Sequence, residues 1–490
     1  MDEYLRRAAR QWPEKTALIE AHTDEYLSYE ELDAWANRIA AGLVRRRIET
    51  GQPVGIVAAR RLETIAAIWG VLRAGGIVVP LSPDETLKER QTKCDIAGVE
   101  QCLVLGEDGV SIPDTVDRWE IEAVANSRDG VAETRDRGPR SIDHTRMILF
   151  TSGTTGTPSG VRLTGRNLGA SAVSTIERLG ARSSDRWLLD LPLYHAGGLS
   201  IPIRTALVGA TTVHSRSFEA EKSAETMAEY DVTGVSLVPT MLERLLDGPG
   251  VPTSLRFALI GGAATPPELV KRALAADVPI YASYGMTETA SGIATATPAE
   301  LADRPETVGR PVRAAQVRIE GADGSELEPG AVGEITVTGA IVSPGTVDGE
   351  SRQPGEPLRT GDRGYLTAGE QLVVTGRIDD LIVTGGENVS PNEVEAALVT
   401  LGGVREAAIL GLPDDTWGER VAAAVVPVEE GEDPRPEAIR NELRERLADY
   451  KLPKTVEIVE SLPRTASGTV DRTALRKVLE EGDSTAGSPD

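Results

Sequence analysis

Residues 147–151 (MILFT) form an apolar run that opens directly into Thr151-Ser152-Gly153-Thr154-Thr155-Gly156-Thr157-Pro158-Ser159-Gly160. Hydroxyls interspersed with glycine just past a buried strand suit one chemistry, the grip of a polyphosphate. Gly153 and Gly156 let the main chain approach and turn its N–H groups toward anionic oxygens, while Thr151, Ser152, Thr154 and Thr155 add hydroxyl donors. No Gly-Lys-Ser/Thr ending follows, so this is not a Walker loop. A flexible linker of similar composition does not ordinarily start at the last residue of a wholly apolar strand.

Such a loop needs a rigid frame, and the surrounding pattern supplies one. VGIVAA (54–59) precedes a helix with Leu62, Ile65, Trp69 and Leu72 on one face, and GGIVVPL (75–81) follows as a second strand, which makes a βαβ unit. The theme recurs at 147–151, at WLLDLPL (187–193), at GVSLVP before TMLERLL, and at LRFALIGG before a helix opened by Thr265, Pro266, Pro267 and Glu268 as a capping box. The expected fold is α/β, with mainly parallel sheets flanked by helices in a large N-terminal domain. After residue 376 shorter strands (REAAILG, ERVAAAVVPV, KTVEIVE) alternate with charged helices, the first opened by Ser390, Pro391 and Glu393. A smaller α+β C-terminal domain is expected there. Residues 111–146 are polar and weakly periodic, and 481–490 read as a frayed tail.

The chain has 490 residues, ample for two or more cored domains. Its 52 Lys plus Arg against 76 Asp plus Glu give a net charge of −24, a field that repels nucleic-acid phosphates and anionic lipid. Neither nucleic acid nor membrane is an expected partner. Only eight of the 52 basic residues are Lys, and acid-rich, Lys-poor composition is one route to solubility in concentrated salt, so a halophilic protein is expected. Cys94 and Cys102 make neither a disulfide framework nor a zinc set. They read as free thiols, and with no apolar leader at the N-terminus and no spanning-length apolar run the expected location is cytoplasmic.

The loop TSGTTGTPSGV resembles the signature of the adenylate-forming superfamily of acyl- and aryl-CoA ligases, peptide-synthetase adenylation domains and firefly-type luciferases. LPLYHAGGLS, LIGGAA, YGMTET, RTGD, TGRIDDLIVTGGENVSPNEVE and LPRTASG match in the family's order across nearly the whole chain. The resemblance implies ATP and CoA as co-substrates and Mg²⁺ as cofactor. An acid first displaces pyrophosphate from ATP to give an acyl-AMP, and a thiol then displaces AMP. By the same resemblance Ser152–Gly156 with Thr151 hold the phosphates, Glu288 ligates Mg²⁺ and Thr287 bonds the α-phosphate. Gly261, Gly262 and Ala263 with Tyr284 and Gly285 form the adenine slot, and Asp362 and Arg377 hold the ribose. Asp379, within a hinge at 377–380, divides a domain of residues 1–376 from a swinging domain of residues 381–480, and Gly385 and Gly386 line the pantetheine tunnel.

His195, one of four His, falls where the family lines its acyl pocket, together with Ser283 and Gly285. Among the branches the motifs look most like the ligases of o-succinylbenzoate in menaquinone synthesis, an aromatic keto-diacid that keeps one carboxylate free. Arg204, alone among apolar neighbours in LSIPIRTAL, is the expected cation for it. A general fatty or aryl acyl-CoA ligase and a non-catalytic adenylate-binding relative are the alternatives. Two departures stand out. The family's Pro-Lys-Gly reads Pro158-Ser159-Gly160, and the C-terminal Gly-Lys reads Gly468-Thr469. Thr469 carries no charge, so Arg464 or Arg472, or a nearby residue such as Lys451, is the expected substitute.

Overall fold

The computed structural model describes residues 1–106, 109–126, 141–151, 158–349, 351–378, 380–385, 387–414, 416–428, 435–464 and 470–486. The chain falls into two compact units, Met1–Val317 with Val337–Leu358, and Arg318–Thr336 with Arg359–Asp490. The change of sequence texture at 376 lies inside the second unit.

The first unit contains two sheets. Strands Pro53–Val57 and Ile77–Leu81 pair in parallel with helix Leu62–Ala74 between them, which is the βαβ unit read from the sequence. This pair sits inside a six-stranded sheet whose edge is the antiparallel hairpin Thr145–Thr151 and Ser159–Thr164. The nine-stranded sheet is parallel from Thr16–Glu20 through Ile280–Tyr284, with antiparallel strands added at both edges. One continuous apolar core gathers residues from both sheets and from helices Tyr29–Arg45, Leu62–Ala74 and Ala196–Val208. A second core, with Met227, Leu242 and Val270, covers the opposite face of the nine-stranded sheet under three amphipathic helices. Helices cover both faces because parallel strands leave both apolar.

Some local readings differ from the structure. Helix Leu62–Ala74 buries every residue from Thr64 to Ala74 rather than one face, because it is packed on strands on one side and on helix Tyr29–Arg45 on the other. Neither expected capping box forms. Pro266 is the N-cap of helix Pro267–Ala275 and has no side chain to bond N–H groups. Ser390 does cap helix Pro391–Leu398, but its hydroxyl donates instead to the Thr375 carbonyl at 3.0 Å. Reciprocal boxes form at Ser28–Glu31, Thr86–Glu89, Thr164–Asn167 and Thr297–Glu300.

In the second unit Val404–Asp414 and Gly418–Pro427 make a long hairpin, with Thr455–Ile458 parallel to its second strand. Strands Leu358–Leu366 and Leu372–Arg377 form a shorter hairpin, and Gly376 packs against Ser390 and Asn392.

Candidate active site

Parallel sheets bind ligands at the carboxyl ends of their strands, where loops leave the sheet and N–H groups are free to point outward. The nine-stranded sheet delivers several of the sequence candidates to that one end. Strand Arg186–Leu189 runs into the His195 segment, Phe257–Ile260 into Gly261–Ala263, and Ile280–Tyr284 into Gly285–Glu288. Phe257–Ile260 and Ile280–Tyr284 are neighbours, so Gly261 passes close to Ser283. Gly262 has φ +82°, and the main chain there approaches the adjoining strand end with no side chain between.

Thr287 and Glu288 lie on a single 3-10 turn, Thr287–Thr289. Four bonds hold it. The Thr289 hydroxyl accepts from Met286 N–H at 3.2 Å, and Ser343 N–H donates to the Glu288 carbonyl at 2.8 Å. Ser171 donates to the Ala290 carbonyl at 2.9 Å, and Ala290 N–H donates to the Thr287 carbonyl at 3.0 Å. Ala290 and Ser291 both have positive φ, +52° and +120°. Non-glycine residues reach such angles only under firm tertiary constraint. The turn packs against the hairpin Thr145–Thr151 and Ser159–Thr164. Thr151 pairs with Ser159 across the hairpin. Ser152, Gly153, Thr154, Thr155 and Gly156 lie outside the described residues.

Glu288 is half-buried, and among the described residues no cation pairs with its carboxylate. No set of three His, Cys, Asp or Glu side chains there could hold a metal ion. A lone hard carboxylate on a braced turn fits Mg²⁺ shared with phosphate oxygens and waters, and does not make an all-protein cage.

His195 is the N-cap residue of helix Ala196–Val208, with its ring 4.6 Å from that of Tyr194. Burial, aided by the Lys93 charge, pushes its pKa down to about 4, so the imidazole is neutral in ordinary buffers. Nine residues on, about two and a half turns along that helix, Arg204 is 1% exposed. Its Nη2 donates to the Ser291 hydroxyl at 3.3 Å, and the guanidinium lies 5.6 Å from the Trp187 ring centroid. No carboxylate pairs with it among the described residues, and its Nε has no hydrogen-bond partner. Burial lowers its pKa to about 9. Arg204 is therefore a buried cation turned toward the end of the Glu288 turn.

In the second unit the structure brings Asp362 and Arg377 together as cross-strand partners, with Nη1 3.4 Å from Oδ1. Asp379, Gly386 and Thr469 fall outside the described residues. Each candidate substitute for the missing lysine faces a carboxylate. Arg464 pairs with Glu406, Arg472 with Asp380 at 3.2 Å, and Lys451 with Glu393 at 2.6 Å. Arg464 also forms an isolated antiparallel bridge with Val470. The sequence reading missed Trp417. This ring is 47% exposed, packs on Gly385, and has Lys454 Nζ 4.0 Å from its centroid. A lone Trp in the polar turn Asp-Asp-Thr-Trp-Gly-Glu was the available signal, since an exposed ring beside a cation suits a nucleobase and a phosphate.

Residues 5–346 match the model for AMP-binding enzymes, and residues 393–469 match that for the AMP-binding enzyme C-terminal domain. The chain is 34% identical over 485 residues to the 2-succinylbenzoate–CoA ligase of Bacillus licheniformis, covering 96% of this chain and 98% of the relative. The o-succinylbenzoate CoA synthetase of Bacillus subtilis in complex with its acyl-adenylate intermediate OSB-AMP superposes with a TM-score of 0.87 at 32% identity, over 96% of this chain and 97% of that one. The ATP-bound MatB of Rhodopseudomonas palustris gives a TM-score of 0.88 at 27% identity, over 97% and 98%. With both domain models matched and more than nine-tenths of its length shared with these ligases, the chain belongs to the AMP-binding enzyme family.

Proposed function

We propose that this protein is an AMP-forming acid–thiol ligase that converts o-succinylbenzoate to o-succinylbenzoyl-CoA in menaquinone biosynthesis, in the cytoplasm. Arg204 is the observation that carries the choice of acid. A guanidinium with no carboxylate of the described residues beside it is stabilised when an anionic group of the ligand arrives, and a diacid brings a carboxylate that the reaction does not consume. A curated relative and a solved structure similar over nearly the whole chain bear the same substrate in their names.

The acid's other carboxylate attacks the α-phosphorus of ATP, forming the acyl-AMP and releasing pyrophosphate. Thr151 and Ser152–Gly156 donate to the phosphates, Thr287 bonds the α-phosphate, and Glu288 holds Mg²⁺, which offsets phosphate charge when bound. Gly261–Ala263, Tyr284 and Gly285 take the adenine, and Asp362 and Arg377 the ribose. His195, neutral, lines the acyl pocket with Ser283 and Gly285. The CoA thiol then attacks the acyl carbon and AMP leaves with the bonding pair. Residues 377–380, around Asp379, act as the hinge between the two steps. Gly385 and Gly386 line the pantetheine path, and Trp417 with Lys454 takes the nucleotide end of CoA. Arg464, which bridges to Val470, supplies the charge that Thr469 lacks. The acid-rich, Lys-poor composition reflects adaptation to concentrated salt.

AMP release measured with o-succinylbenzoate, benzoate and medium-chain fatty acids tests the reading. Turnover that requires the keto-diacid and CoA is expected. Comparable rates with the simple monoacids would make this a general acyl-CoA ligase.

A further inference from the structure

Ser291, two residues past the turn Thr287–Thr289, takes φ +120°, an angle at which any residue but glycine is strained. Its bonds within the turn are long. Ser291 N–H donates to the Met286 carbonyl at 3.3 Å, and its carbonyl accepts from the Thr289 hydroxyl at 3.4 Å, while that hydroxyl lies closer to the Met286 carbonyl, at 3.0 Å. Nearer Glu288 the bonds are tighter. Ser343 N–H reaches the Glu288 carbonyl at 2.8 Å, and the Ser171 hydroxyl reaches the Ala290 carbonyl at 2.9 Å. Ser291 is thus the loosest and most strained point of the segment, and such a conformation persists only when something outside holds it. A shift of Ser291 is not local. Gly285 packs so closely on it that a Cβ there would lie 1.4 Å from the Ser291 carbonyl oxygen, which couples the two ends of the segment around Thr287 and Glu288.

The outside hold comes from helix Ala196–Val208. Arg204 Nη2 donates to the Ser291 hydroxyl at 3.3 Å, across 87 residues of sequence. One face of the guanidinium lies over Trp187, 5.6 Å from the ring centroid, and the Trp187 indole N–H is itself fixed by the Ser236 hydroxyl at 3.1 Å. Arg204 Nε, by contrast, is buried with no hydrogen-bond partner among the described residues. Nε–H and one N–H of Nη2 point the same way and form a fork that meets a carboxylate with two parallel bonds. Nη2 carries a second hydrogen, so a carboxylate on the fork and the Ser291 hydroxyl share that nitrogen without competing. A filled fork fixes the plane of the guanidinium, and the bond to Ser291 is fixed with it.

We propose that Ser291 is a positioning residue that ties the acid site to the adenylation turn. When the free carboxylate of the acid occupies Arg204, the guanidinium holds Ser291, and the segment bearing Thr287 and Glu288 is set for the charge that develops at the α-phosphate. This rests on Arg204 taking that carboxylate. A monoacid leaves the fork empty and the turn less firmly set, so the choice of acid is expressed in the rate of adenylation as well as in binding.

The test is a double-mutant cycle on the full chain, read as ATP–pyrophosphate exchange with o-succinylbenzoate. Ser291→Ala and Ser291→Gly are each expected to lower kcat about tenfold, with KM for the acid within about threefold and KM for ATP within about twofold, because Arg204 still binds the carboxylate but no longer holds the turn. In the Arg204→Met background the tie is already cut, and adding Ser291→Gly should change kcat by less than about twofold. An unchanged kcat in Ser291→Gly overturns the tie, as does a rise in acid KM with kcat intact, which would make Ser291 a substrate contact only. A tenfold loss that recurs in the Arg204→Met background also overturns it, since Ser291 would then act on the turn alone. If Arg204→Met leaves KM for the acid unchanged, the carboxylate reading fails and the tie with it. If Ser291→Ala does not fold, Ser291→Gly decides, because glycine takes φ +120° without strain.

Discussion

Arg204 concentrates the trade between stability and substrate choice in one side chain. Burying a guanidinium without a carboxylate costs several kcal/mol, and the Ser291 hydroxyl and the Trp187 ring return only part of it. Arg204→Met should therefore raise the melting temperature of the ligand-free protein by a few degrees, roughly 1–2 kcal/mol, read by calorimetry. The same variant should raise KM for o-succinylbenzoate about a hundredfold, with KM for ATP little altered. A stabilised variant with full affinity for the acid would remove Arg204 from the site. His195 carries a pH signature of its own. Its folded pKa near 4 lies below the unfolded value of about 6.5, so the folded state binds fewer protons between them. The stability it contributes is present above about pH 6.5 and is lost as pH falls toward 4, by at most about 1.4 kcal/mol per pH unit. His195→Gln should flatten that part of the acid-unfolding curve.

At the scale of elements, the Thr287–Thr289 turn is the part least able to move. A Cβ on Gly285 would lie 1.4 Å from the Ser291 carbonyl oxygen, a clash that no rotamer relieves. Gly285→Ala should cut ATP–pyrophosphate exchange by about a hundredfold or more with the far-ultraviolet spectrum retained, because Glu288 and Thr287 shift together. The repeated strand–helix pattern was readable because apolar runs of strand length alternate with helical spacing, and Pro53–Val57, Leu62–Ala74 and Ile77–Leu81 stand where that pattern put them. Capping was not equally readable. Thr265 and Ser390 carry the right residue types, but Pro266 takes the N-cap in one case and the Thr375 carbonyl takes the hydroxyl in the other. A cap hydroxyl goes to whichever partner tertiary packing brings nearest.

Across the whole molecule, a net charge of −24 makes self-repulsion a property of the chain rather than of any site. Salt shortens the reach of that repulsion to about 3 Å at 1 M, so the melting temperature should climb by more than about 5 °C between 0.1 and 2 M KCl. A flat curve would reject adaptation to concentrated salt. Loss of the C-terminal lysine is likewise settled by the full enzyme. Pyrophosphate exchange should fall about tenfold or more in Arg464→Ala and less in Arg472→Ala, although each guanidinium is paired with a carboxylate, Glu406 and Asp380.

The order of motifs and the α/β class are legible in the one-dimensional sequence, because each depends on residues within a few positions of one another. The partners of Arg204, the His214–Glu20 pair and the strained Ser291 are not. Arg204 and Ser291 are 87 residues apart, and His214 and Glu20 are 194 apart. Sequence spacing sets which face of an element a side chain leaves from, but burial and electrostatics depend on what lies across the gap, and only the packed sheet ends bring those groups within reach of each other.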